Sequence, residues 1–418
     1  MAAHKPKIEN MAPSTNLRNS FPAAGNDEFI PFHRPSLGEE EAAAVQSVLS
    51  SGWLTTGPVV AQFEREFAEY IGCKHALAVN SGTAALQLAL DAIGLAAGDE
   101  VLVPAYTFTA TAEVVTYFGA RPVLCDSLAG GFNIDAAGLE GKITARTRAI
   151  IPVHVAGQPC EMDSILAVAR AHNLHVIEDA AHALPASYHH RRVGTISEMA
   201  AFSFYATKSV TTGEGGMLAT DNDEYARRAI KMRLHGIGRL SWKSDSPLDS
   251  WFYEVEHAGY KLNLPDVRAA IGVAQLHKCE AFWQMRREIA RFYSDRLGQI
   301  AELEIPPDAP SPGEHSWHLY ILRLKAGALG IGRNQFIEEL KKVGIGASVH
   351  FIPLHLHPYY RDEYGYNAGD FPHAEDAYSR CLSLPIFPGL TSAQATRIVS
   401  QIMEIVAKNH KHISIASS

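Results

Sequence analysis

Ala201-Phe202-Ser203-Phe204-Tyr205-Ala206-Thr207-Lys208-Ser209-Val210-Thr211-Thr212-Gly213-Glu214-Gly215-Gly216-Met217 decides how the rest of the chain reads. The apolar run Ala200 to Phe204 has strand character. A second run, Met217 to Ala219, follows a loop of small hydroxylated residues and glycines. Lys208 sits in that loop with no other charge before Glu214. A lysine so placed loses hydration, which penalises its ammonium form and frees its amine to act as a nucleophile. Gly213, Gly215 and Gly216 lack Cβ atoms, so backbone can approach a bound group closely there. Read alone, the stretch is equally a strand-end lysine beside a glycine hairpin.

Asp179 lies upstream in His175-Val176-Ile177-Glu178-Asp179-Ala180-Ala181-His182. Val176 and Ile177 read as a buried strand, with Asp179 near its carboxyl end. Open α/β sheets bind ligands in the crevice beyond such ends. A lysine and an aspartate on two strand ends match what pyridoxal 5′-phosphate (PLP) requires. The amine bonds the cofactor's aldehyde carbon, and the carboxylate keeps the pyridine nitrogen protonated so that the ring accepts electrons.

With these residues in view, SFYATKSVTTGEGG and IEDAAHA resemble the DegT/StrS-type sugar-nucleotide aminotransferases. The likeness runs from about Phe32 to the C-terminal helix. It implies an α/β protein of fold type I (aspartate-aminotransferase-like), in which a large domain with a mostly parallel sheet is joined to a smaller α+β C-terminal domain. The division expected is a loose tail over 1–28, a large PLP-binding domain over 29–265, and a linking helix with the small domain over 266–418.

Composition sets limits on partners. Lys and Arg number 37 against 45 Asp and Glu, a net charge of −8, which disfavours nucleic acid or an anionic membrane as the main partner. Five scattered cysteines without CxxC spacing suit reduced, packed thiols and a cytoplasmic location. No apolar run approaches the ~20 residues of a membrane span.

Along the chain, strands are expected at 75–79, 101–103, 122–125 and 149–155, with helices near 37–50, 58–70, 82–94, 109–118, 163–172 and 222–235. Such alternation builds a parallel sheet covered on both faces. Residues 236–262 show no period and read as a long functional loop. Pro265 opens a helix extending to Leu297 with a break. Beyond it, strands are expected at 318–324 and 346–351, and helices at 334–343, 374–381 and 392–408.

Asn80-Ser81-Gly82-Thr83-Ala84 joins a strand to a helix, so free N–H groups and the helix dipole converge on an anion site for the PLP phosphate. Simple helix capping by Ser81 or Thr83 is the alternative. The resemblance implies further roles. Ser203 matches a family serine on the phosphate, and Phe108 an aromatic stacked on the pyridine ring, where ordinary core packing is the alternative. His182 stands where relatives carry glutamine or histidine, either of which reaches the cofactor's phenolic oxygen. Asn263 matches a residue that crosses a homodimer to the neighbour's phosphate, so that two chains share each active site; otherwise it reads as the N-cap of the Pro265 helix. Trp53, in a glycine-bounded loop that lies by the active site in the family, is a substrate-binding candidate together with Tyr205 and His350.

His355 with His357, and His189 with His190, lack a carboxylate or cysteine cluster at ligand spacing, so no metal is expected. The reaction implied is transamination of a nucleotide-linked keto-sugar with glutamate as donor and 2-oxoglutarate as its product. His350-Phe351-Ile352-Pro353-Leu354-His355, AGYKLNLPD and EHSWHLYILRL resemble the 4-aminotransferases of UDP-linked 4-keto sugars. Rivals are a 3-aminotransferase on a dTDP- or GDP-linked keto-sugar, and a non-catalytic PLP-binding regulatory protein. A sugar dehydratase of the same fold carries histidine in place of the lysine, whereas this chain keeps Lys208.

Overall fold

The computed structural model describes residues 29–240 and 253–410. The expected tail over 1–28, the middle of the 236–262 segment and the last eight residues lie outside them. The centre is a seven-stranded sheet of β1 (His75–Val79), β2 (Glu100–Pro104), β3 (Arg121–Cys125), β4 (Thr147–Ile150), β5 (His175–Asp179), β6 (Met199–Ser203) and β7 (Gly216–Thr220). Their spatial order is β1-β7-β6-β5-β4-β2-β3. Pairings among β2 to β6 are parallel, while β7 runs antiparallel to both β1 and β6.

Helices α1 (Glu39–Ser51), α2 (Pro58–Ile71), α3 (Gly82–Ala92), α4 (Ala110–Thr116), α5 (Met162–His172), α6 (Asp223–Met232) and α7 (Asp266–His277) belong to this half of the chain. Side chains alternate across a strand, and here that parity assigns faces. Val101 and Val103 join one core with Leu86 and Leu88 of α3, while Leu102 joins the opposite core with Phe63 and Phe67 of α2. In β6, Phe202 lies on the α2 side, with Phe204 beyond it. Phe67 meets Phe202 at 5.0 Å and Phe63 meets Phe204 at 5.3 Å. Burying a phenylalanine contributes about 1.5–3 kcal/mol. That packing turns the intervening Ser203 toward α3. The same parity puts Glu178 on the α2 and α5 side and Asp179 on the α3 and α4 side.

The linking helix is broken as expected, into α7 and α8 (Cys279–Leu297). A three-stranded antiparallel sheet follows: β8 (Leu303–Glu304), β9 (Tyr320–Leu324) and β10 (Cys381–Leu384). It packs with α9 (Arg333–Lys342) and α12 (Ser392–Asn409) around a separate core that includes Tyr293, Phe336, Ile398 and Ile402. Thr391 caps α12 by accepting from Gln394 N–H at 3.2 Å, and Gln394 returns the bond to the Thr391 N–H at 3.0 Å. Ile30 joins the same core and accepts from Gly346 at 2.8 Å, so the start of the described chain lies against the C-terminal unit.

Several expectations need correction. Residues 346–351 form no strand; only an isolated bridge, Ser348 to Ser383, is made there. The mixed glycine, serine and histidine content gives no two-residue period to sustain a ladder. The segment after α6 is not wholly loop: Ile237–Leu240 and Tyr253–Val255 pair as an antiparallel hairpin. Sequence reading missed α10 (Pro358–Tyr364), which precedes α11 (Pro372–Arg380), and β10, because seven residues rich in charge and a four-residue strand give little periodic signal.

Candidate active site

Every strand end that carries a candidate residue opens on one edge of the sheet. β1 leads into Ser81, β2 into Phe108, β5 ends at Asp179, and β6 leads into Lys208. Because β7 is antiparallel, its first residue, Gly216, lies at the same edge. The loop bearing Lys208 is knitted internally. Phe204 donates to Gly215 O at 2.8 Å and its carbonyl accepts from Thr212 at 3.0 Å. Thr211 Oγ1 donates to the same carbonyl at 3.1 Å.

Lys208 is partly buried as a residue, but its amine lies deep among protein atoms, and this desolvation lowers it to about 8; the Asp179 carboxylate opposes the shift. Asp179 is 6% exposed. Burial pushes its carboxyl up, while the Thr111 hydroxyl, the Ala181 N–H, Lys208 and His154 hold it down. Thr111 Oγ1 donates to Asp179 Oδ2 at 2.8 Å and Ala181 N–H to Oδ1 at 3.1 Å. Directly behind, Glu178 is fully enclosed. It accepts from His154 Nε2 at 3.1 Å and from the backbone of Gly194, Ile196 and Ser197. Those bonds hold its carboxyl below the usual range despite burial and anchor the end of β5.

Ser81 accepts from Ala84 N–H at 3.1 Å, so its side chain does cap α3. The first-turn N–H groups of Gly82 and Thr83 have no intrahelical partner by construction and remain for a ligand. A Cβ on Gly82 would stand 3.0 Å from Ser203 Cβ, and one on Gly216 would stand 2.3 Å from Ser81 O. The α3 start, Ser203 and the β7 start therefore close on one another in a way only glycine permits. Phe108 is 58% exposed, 5.9 Å from Phe351, so it is not a core residue.

His182 is buried, stacked on Phe351 at 5.7 Å and 4.4 Å from His318. Desolvation first, then Lys208 and His350, hold it well below the usual histidine value, so it is neutral. Its Nδ1 accepts from Ala156 N–H at 3.3 Å, which leaves the hydrogen on Nε2 as a donor. His350 is likewise kept neutral, lowered to about 4 by burial and by Lys208. Its Nδ1 meets Ser383 Oγ at 3.0 Å. Thr207, His318 and His350 line one small void beside the lysine loop.

Asn263 does not cap α7, which starts at Asp266 with no side-chain cap. Instead its Nδ2 donates to Thr56 Oγ1 at 2.7 Å, and its backbone bridges to Val79 beside the α3 start. Trp53 and Tyr205 are exposed, and the Tyr205 carbonyl accepts from the Lys208 backbone N–H at 2.9 Å. Trp53 Nε1 donates to Thr56 O at 3.2 Å. The Trp53 loop is tied down by buried Asp266, which accepts from Gly57 at 2.8 Å, Val59 at 3.1 Å and Val60 at 2.9 Å. Sequence reading missed Asp266, Thr111, His154 and His318. Thr111 lies in the first turn of α4, whereas its partner Thr107 lies before the helix, so their pairing had no periodic signal.

A buried amine of lowered basicity, a facing carboxylate and a backbone cradle closed by two glycines fit PLP: Lys208 for the aldehyde, Asp179 for the ring nitrogen, and the α3 start for the phosphate.

Residues 35–403 match the DegT/DnrJ/EryC1/StrS aminotransferase family. The chain belongs to this family. Among relatives, it is 46% identical over 381 residues to the spore coat polysaccharide biosynthesis protein SpsC of Bacillus subtilis, covering 91% of this chain and 98% of that one. Among solved structures, it superposes on the putative sugar aminotransferase Spr1654 from Streptococcus pneumoniae in its PMP form with a TM-score of 0.86. Identity there is 33%, covering 91% of this chain and 99% of that one. The Helicobacter pylori aminotransferase PseC, involved in the biosynthesis of pseudoaminic acid, gives a TM-score of 0.83 at 29% identity, covering 91% and 100%. The protein is thus a PLP-dependent sugar aminotransferase with the fold type I architecture, as its lysine loop and strand-end aspartate led us to expect. No helix among the described residues is long and apolar enough to cross a membrane.

Proposed function

We propose that the protein transfers the amino group of glutamate to the keto carbon of a nucleotide-linked sugar, most specifically a UDP-linked 4-keto-hexose. The observation that carries the reading is the convergence of Asp179, His182 and His350 on the Lys208 amine. Two neutral imidazoles next to a reactive amine suit a polyhydroxylated, uncharged ring better than an acidic one. The reported roles of SpsC in spore coat polysaccharide biosynthesis and of PseC in pseudoaminic acid biosynthesis support a sugar acceptor of this kind.

When bound, PLP supplies the electron sink that lets a C–H bond beside nitrogen break. In this reading, Lys208 Nζ would hold the cofactor through its aldehyde carbon and would be free as a base once the donor is bound. It then takes the proton from the donor's α-carbon. In the second half-reaction Lys208 delivers a proton to the sugar carbon that gains nitrogen. Asp179, as a carboxylate, would hold the proton on the ring nitrogen. Ser81, Gly82, Thr83 and Ser203 would hold the phosphate, Phe108 would cover the ring face, and the His182 Nε2 hydrogen would be offered to the phenolic oxygen. His350, Tyr205 and Trp53 contact the sugar nucleotide. The location expected is cytoplasmic.

A panel of UDP-, dTDP- and GDP-linked 4-keto and 3-keto hexoses, each offered to the aminated enzyme with product carbon assigned by NMR, tests the acceptor. Amination of a UDP-linked 4-keto sugar at C4 is expected; preference for a 3-keto or dTDP-linked substrate rejects the finer assignment.

The enzyme is further expected to be a homodimer, with Asn263 of each chain reaching the phosphate of the other. Asn263→Ala and Lys208→Ala defects then complement. A heterodimer of the two carries one site with both lesions and one with neither, so random mixing restores up to about a quarter of wild-type activity. Activity no higher than the parent homodimers, with Asn263→Ala itself clearly impaired, places Asn263 within its own subunit, on Thr56.

A further inference from the structure

The carboxylate of Asp179 does not hold its own direction; a buried hydroxyl pair does. Thr111 and Thr107 are each 1% exposed. Thr107 Oγ1 lies 2.8 Å from Thr111 Oγ1, which lies 2.8 Å from Asp179 Oδ2. A carboxylate can only accept, so the single Thr111 proton goes to Oδ2. Thr107 must then donate its own proton to the Thr111 oxygen. The direction of both bonds is thereby tied to Asp179 being ionised. Oδ1 is fixed independently by the Ala181 N–H.

We propose that Thr111, oriented by Thr107, is the positioning residue that keeps Asp179 ionised and aimed at the cofactor's ring nitrogen. This rests on Asp179 being that nitrogen's partner. The other charged or titratable groups near Asp179 are Lys208, from the loop after β6, and His154 and Cys160, from the segment after β4; burial and the nearby carboxylates push the Cys160 thiol well up. Glu178, on the same strand, points to the opposite face and is occupied by His154. The hydroxyl is thus the side-chain donor that α4 offers to a carboxylate which burial would otherwise push toward its neutral form. Without it, the proton shared between ring nitrogen and carboxylate shifts toward the carboxylate, and the electron sink weakens.

The test uses holoenzyme reconstituted with PLP carrying ¹⁵N in the ring. In Thr111→Val, which keeps the shape and removes the donor, the ring nitrogen signal is expected to move toward that of unprotonated pyridine. The glutamate half-reaction should slow about 10- to 100-fold, as for loss of a hydrogen bond to a charged group. Thr111→Ser is expected to retain the wild-type signal and most of the rate. Thr107→Val, which removes only the outer hydroxyl, should cost less than Thr111→Val. Should the valine variant fail to fold, Thr111→Ala carries the same readout. An unchanged nitrogen signal in the donor-less variants, or a serine variant as impaired as the valine one, overturns the proposal. If Asp179→Asn also leaves the nitrogen signal unmoved, the assignment of Asp179 itself fails; if only Thr111→Val is silent, the fault lies with the hydroxyl alone.

Discussion

Lys208→Ala is expected to abolish turnover and, with it, the visible absorbance of the lysine-bound cofactor. The rate loss should reach or exceed the 10²–10⁴-fold that one positioned acid–base group supplies, because the same amine also bonds the cofactor. Lys208→Arg should fare no better, since a guanidinium cannot shed its proton to become a nucleophilic amine. Borohydride trapping followed by peptide mapping checks the point; covalent cofactor retained by the alanine variant would sink the assignment. The lowered basicity of Lys208 adds a pH signature. Only the neutral amine can attack, and burial brings its pKa to about 8. Capture of added PLP by the cofactor-free protein should therefore rise about tenfold per pH unit below pH 8 and level off above it. A rise that continues to pH 10 would mean the amine is not desolvated.

Asp179→Asn is expected to bind PLP within about an order of magnitude of wild type yet lose on the order of 10²-fold or more in the half-reaction with glutamate. Asparagine still fits between Thr111 and Ala181, because its oxygen can accept from one of them. It cannot supply the charge that keeps the ring nitrogen protonated. Single-turnover absorbance at saturating glutamate separates this from a binding defect. A near-normal single-turnover rate would show that the charge is dispensable.

The lysine and aspartate were legible in the sequence because their chemistry sits on strand ends, and strand ends follow from apolar runs. Val176-Ile177 before Asp179 and Ala200 to Phe204 before Lys208 needed no tertiary information. The hydroxyl pair behind Asp179 was not legible. Thr107 and Thr111 look like ordinary threonines until α4 is laid across the end of β5. Asp266 is a second case. A single acidic residue after Pro265 reads as a first-turn helix acid. Only the fold reveals that it satisfies three N–H groups at the start of α2, more than two hundred residues earlier. The expected strand 346–351 fails because its side chains go different ways: Ala347 packs on the C-terminal core, Val349 on the large core, and His350 and Phe351 lie by the lysine loop.

The reversed strand, β7, carries a consequence for how the chain is made. β1 is at the edge of the sheet and pairs with β7 alone, through a register that joins His75 to Thr220 and Val79 to Gly216. A ribosome must deliver well over a hundred further residues before β1 has a neighbour, and so long a loop closure is slow to find. The cradle is complete only with β7 in place between β1 and β6, where Gly216 closes on Ser81 while Gly82 lies against Ser203. The nascent enzyme therefore cannot hold the cofactor by halves. Ligand binding to the finished sheet then stabilises that last closure by mass action.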